Sequence, residues 1–182
     1  LVLHTAAHAV TLTTAQAISL GTVSVAGSIV VTDLESNTGA DLSNIKSTVG
    51  AETASIDADG GVEFTGDLGN FALTVNSFAG TGTLTIAASV ADGKSITANA
   101  NETVVVSGVT SSDAYDLSGI SDAAGNGSVV VNFNADTTLA AATNLGATGV
   151  DIDVEKDVTL TLTAAQADGL TIDGDQAFGD NS

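Results

Sequence analysis

One feature limits what this chain can fold into more than any other: it repeats itself. IVVTDLESNTGADLSNI at 29–45 aligns without a gap on VVVSGVTSSDAYDLSGI at 104–120, with seven of 17 positions identical and Asp-Leu-Ser-x-Ile shared whole. LTTAQA at 12–17 returns as LTAAQA at 162–167, and the Ala-Asp-Gly of 91–93 returns at 167–169. A fainter echo links DLGNFALTV at 67–75 with NLGATGVDI at 144–152. All fall in one register of about 75 residues, the mark of a stacked or tandem architecture. The expected units are 1–80, 81–156 and the start of a third at 157–182, in one continuous elongated array.

Within a unit, short stretches alternate with period two: TLTIA (83–87), ITANA (96–100), TVVVSG (103–108), SVVVNF (128–133), VDIDV (150–154) and VTLTLT (158–163). Turn clusters such as DAAGNGS (122–128) separate them, so the chain reads as all-β. Helix is expected only at the repeated Thr-x-x-Gln, Thr13 to Gln16 and Thr163 to Gln166, a capping box that opens a single turn. Gly169 stands where a C′ glycine would stop that turn.

Composition decides between two all-β arrangements. Five Phe, one Tyr and no Trp or Met leave Val, Ile, Leu and Ala to build the core, and there is no proline. Sandwiches fill a gap of about 10 Å between sheets, usually with large rings. A parallel β-solenoid encloses a narrower interior that rows of aliphatic side chains can fill. The solenoid (β-helix) is therefore the expected fold, with tandem small β-sandwich domains as the alternative.

The charge narrows the partners. Twenty-two acidic residues face Lys46, Lys94 and Lys156 alone, for a net charge of −19, which disfavours nucleic acid and anionic membrane surfaces. No stretch is long and apolar enough for a membrane-spanning helix, and no cysteine is present for a disulfide or thiolate site. The chain begins at Leu1 without a basic leader, and the third unit is incomplete, so a piece of a longer polypeptide is expected.

The runs GTGTLTIAASVADGKSITA (80–98) and DVTLTLTAAQADGLTIDG (157–174), with the repeated Asp-Leu-Ser-x-Ile, resemble the Thr/Ala/Gly/Val-rich repeat regions of large bacterial surface proteins. That group includes adhesins, S-layer-like proteins and β-strand-repeat exoproteins. The resemblance implies an extracellular, acidic, calcium-friendly structural array. The glycine-and-aspartate nonapeptide of RTX repeats is absent, so that mode of calcium ligation is not implied.

Candidate chemistry centres on carboxylates. On a strand through VDIDVEKD, Asp151, Asp153 and Glu155 share one face, with Asp157 just beyond, and such a row suits a hard cation such as Ca²⁺. Asp57 and Asp59 in DADGG, and Asp173 and Asp175 in DGDQAFGDN, add Asp-x-Asp spacing beside glycine. The bland reading of each is a solvated face or an ordinary turn. His4 and His8 could share a helical face for a metal, or simply belong to a frayed end. No histidine follows residue 8, so nucleophilic catalysis lacks a base and a non-enzyme is expected. NET (101–103) and NGS (126–128) match the glycosylation sequon, which means nothing in a bacterial host without that pathway. The function expected is a structural and interaction segment that self-associates through strand edges or ends. The alternatives are a module for a cell-surface glycan, a polysaccharide-cleaving β-helix enzyme, and an ice-binding face of Thr rows.

Overall fold

The structure, a computed structural model, describes residues 2–3, 9–77, 80–123, 128–146 and 149–174. These residues are β-rich. Three short helices interrupt them, Thr14–Leu20 (α1), Ala88–Ala91 (α2) and Ala164–Ala167 (α3), with a 3-10 turn at Leu34–Asn37.

Two six-stranded sheets dominate. An early sheet holds Val10–Thr13, Ile29–Thr32, Glu52–Asp57, Ala72–Asn76, Ile96–Ala98 and Ile120–Asp122 in that spatial order. A late sheet holds Val62–Phe64, Gly82–Ala87, Glu102–Ser107, Ser128–Phe133, Val150–Val154 and Thr171–Gly174. Val2–Leu3, Val23–Val25 and Ile45–Ser47 form a small sheet, and Thr137–Thr138 pairs with Leu160–Thr161. Every one of these ladders is parallel. Each strand pairs with the strand after next, from 19 residues away (Val10 with Ile29) to 25 (Thr103 with Ser128). Tandem sandwiches would instead join neighbouring strands as antiparallel hairpins. Among the described residues, the antiparallel contact outside the ladders is the single bridge Asp59–Gly82.

The alternating sequence explains the ladders. In-register residues repeat the same side of the pleat, so apolar residues stack into columns. Leu12, Val31, Ala54, Leu73, Ile96 and Ile120 form one column of the early sheet. Phe64, Ile86, Val106, Val131, Ile152 and Ile172 form another in the late sheet. All but the terminal Leu12 and Ile172 are buried in a single continuous core. Burying one such side chain contributes about 1.5–3 kcal/mol. The core is not purely aliphatic, as composition suggested: Phe64, Phe71, Phe133 and Tyr115 all lie inside it.

Corners stack as closely as strands do. The turns at Asp41 and Asp67 bridge in parallel, and so do those at Asp116 and Asn144. Gly93 donates its N–H to the Asp116 carbonyl (2.8 Å), which carries the stack through the middle. Glycine permits this approach: a Cβ on Gly119 would sit 2.3 Å from the Lys94 carbonyl oxygen.

The matched segments share local structure. Both capping boxes form, at Thr13 with Gln16 and at Thr163 with Gln166. The first helix runs longer than the single expected turn because its inner side buries Thr14 and Ala17. Ser43 and Ser118 donate their N–H and hydroxyl groups to Asp41 and Asp116 in the same pattern. Yet the matched strands sit in different sheets, Ile29–Thr32 in the early one and Glu102–Ser107 in the late one. Among the described residues, the strand Glu102–Ser107 is the seventh after Ile29–Thr32, while ladder partners are always two strands apart. Each sheet consequently slants across the corners. The early sheet starts at Val10–Thr13, directly before α1, and ends at Ile120–Asp122, directly after the Asp116 corner.

Candidate functional site

The carboxylates nominated from sequence divide into three groups. Asp57 and Asp59 are held within their own turn. Asp57 accepts the N–H of Asp59 at 3.1 Å, and Asp59 accepts the Ser77 hydroxyl while its backbone bridges Gly82. Gly60 and Gly61, at φ 76° and 84°, complete that turn. These bonds account for Asp57 and Asp59 as turn residues.

Asp151, Glu155 and Asp157 form a second group, and the row expected of them is broken. Asp151 is exposed, Glu155 is half-buried beyond the strand end, and Asp157 is exposed in a left-handed turn (φ 66°). Asp175 lies outside the described residues, as do His4 and His8.

Asp153 and Asp173 make the third group, and here the geometry is unusual. Asp153 stands between Asn132 and Asp173 in the ladder register of the late sheet. It is only 8% exposed. Its Oδ2 accepts the Asn132 side-chain N–H at 3.1 Å, whereas its Oδ1 is shut off from solvent with no hydrogen-bond partner. Asp173 is exposed on the last strand. Among the described residues, no three acidic, histidine or cysteine side chains converge on one point.

Sequence reasoning missed other polar groups. Glu102 opens its strand facing inward, 3% exposed, and its Oε2 also lacks a partner. Its alternation with Val104 and Val106 was the available signal. The corner carboxylates Asp41 and Asp116 were visible only as a repeated word. Hydrogen bonds from the Ser43 and Ser118 hydroxyls, then their N–H groups, hold both acids below the usual carboxylate range. Thr110, Ser112 and Tyr115 hydroxyls do the same for Asp113.

Nothing among the described residues forms an aromatic platform for a sugar, since the four described rings are core residues. One concavity is lined by Gly66, Asp67, Ser89, Val90, Asp92 and Lys94, and another by Thr32, Asp33, Glu35, Ser55, Ile56, Asp57 and Asn76. No described helix is long and apolar enough to cross a membrane. Comparison with protein-family models, with curated proteins and with solved structures finds no match.

Proposed function

We propose that this chain is a segment of a parallel β-solenoid that works as extracellular building material, in a surface layer, filament or adhesin stalk. In this reading the winding unit is about 75 residues: seven strands over three corner-to-corner turns. The observation that carries the proposal is the pair of staggered parallel sheets whose terminal edges are open among the described residues. Among the described residues, Val10–Thr13 and Thr171–Gly174 each have a ladder partner on one side only. All four residues of Thr171–Gly174 are exposed, Ile172 among them at 47%.

An edge of this kind is a template for further strand pairing, either by a continuing chain or by a second copy. The burial of the four described rings in the core favours a surface that stacks over one that holds a sugar against aromatic faces. The net charge of −19 keeps such arrays soluble by mutual repulsion along their flanks.

The test is concentration-dependent assembly, followed by sedimentation and electron microscopy. End-to-end filaments or sheets whose fibre diffraction carries a meridional reflection near ~4.8 Å are expected. Compact monomers at every concentration would overturn the reading.

A further inference from the structure

We infer that the late sheet carries a divalent-cation site between the strands Val150–Val154 and Thr171–Gly174, built by the carboxylates of Asp153 and Asp173, with Asn132 orienting Asp153 from the other side. The site stands apart from the structural reading above, because a monomeric module could hold it equally well.

Two independent observations point to it. Asp153 and Asp173 are directly in register on adjacent parallel strands. Rungs are about 4.7–4.9 Å apart, and like charges set opposite one another destabilise a sheet. Something must offset that repulsion. The second observation is the Asp153 carboxylate itself, more than nine-tenths buried yet with one oxygen unpartnered. A buried polar oxygen without a partner costs free energy unless something fills the place.

The Asn132 amide fixes the orientation. Its nitrogen engages Asp153 Oδ2, so Oδ1, the other oxygen of the planar carboxylate, is directed away from that bond. Asp173 is the next residue of the column on the side away from Asn132. A cation between the two carboxylates would satisfy Oδ1 and cancel the repulsion at once. The donor set is all oxygen, which selects a hard ion, and two carboxylates with water completing the shell suit Ca²⁺ better than a transition metal. The consequence is local: the ion clips the exposed strand Thr171–Gly174 onto Val150–Val154.

Calorimetric titration of the full chain with CaCl₂, paired with hydrogen exchange of residues 170–174, tests the site. Saturable binding with Kd on the order of 10⁻⁴–10⁻³ M and slower exchange in that strand are expected. Asp173→Asn, an exposed change that leaves the core alone, weakens binding about tenfold or more. Asp153→Asn abolishes it, whereas Asp151→Asn, two residues earlier on the same strand and facing solvent, leaves it intact. Absence of saturable binding at millimolar calcium overturns the site. So does an equal response to NaCl at matched ionic strength, or an undiminished response in Asp173→Asn.

Discussion

At Asp116 one carboxylate oxygen accepts both the N–H (3.1 Å) and the hydroxyl (2.6 Å) of Ser118, and Asp41 repeats the arrangement with Ser43. Because these bonds favour the charged form, the folded acid titrates below its ordinary 3.8. A depressed folded value stabilises the fold fully above the unfolded value and loses that contribution as pH falls through the folded one. The urea midpoint of Asp116→Asn should therefore lie below wild type at pH 6, and the gap should begin to narrow as pH falls below about 3.8. Solvent screening keeps the gap modest, and a gap unchanged at pH 2.5 would refute the assignment. The repeated word Asp-Leu-Ser-x-Ile announced this corner in the sequence. The contrast between Asp151 and Asp153 was not announced. Both alternate outward in VDIDV, and their burial depends on what lies one rung away, about twenty residues off in sequence.

Elements read from sequence fared according to how local their causes are. The capping boxes at Thr13 and Thr163 need only four consecutive residues, and both formed. Ser128–Phe133 and Val150–Val154 came out at their expected bounds because alternation and flanking turns agree. VTLTLT shrank to Leu160–Thr161, since its Thr137–Thr138 partner is itself only two residues long. Parallel pairing with the strand after next was not legible in any one segment. The Leu73 column makes it testable: Leu73, 1% exposed, packs between Ala54 and Ile96. Leu73→Ala should cost about 2–5 kcal/mol, read from denaturant midpoints. Thr74→Ala, on the other side of the same strand, should cost far less. Equal losses would mean the column does not carry the sheet.

For the whole molecule, the proposed unit predicts which deletions the fold tolerates. Removing residues 46–120 joins Ile45 to Ser121 at equivalent points of two repeats, and takes out seven strands with their corners in phase. This shortened chain should keep a cooperative melt and a β-rich circular dichroism spectrum. Removing 46–83 instead brings a corner against the middle of a strand and should leave an uncooperative chain. If both deletions behave alike, the unit is wrong. Composition pointed to a core of Val, Ile, Leu and Ala, and did not reveal that the scarce rings of Phe64, Phe71 and Phe133 would lie inside it too.

The stagger of the two large sheets has a mechanical consequence. The early sheet spans residues 10–122 and the late one 62–174, and the two touch where Glu102–Ser107 meets Ala72–Asn76 and Ile96–Ala98 and where Ser128–Phe133 meets Ile120–Asp122. Among the described residues such a body is spliced like rope, from overlapping lengths, and no single sheet joins the first strand to the last. A tear that starts at one terminus and peels strands apart runs out where its own sheet stops, and must break fresh bonds to go further.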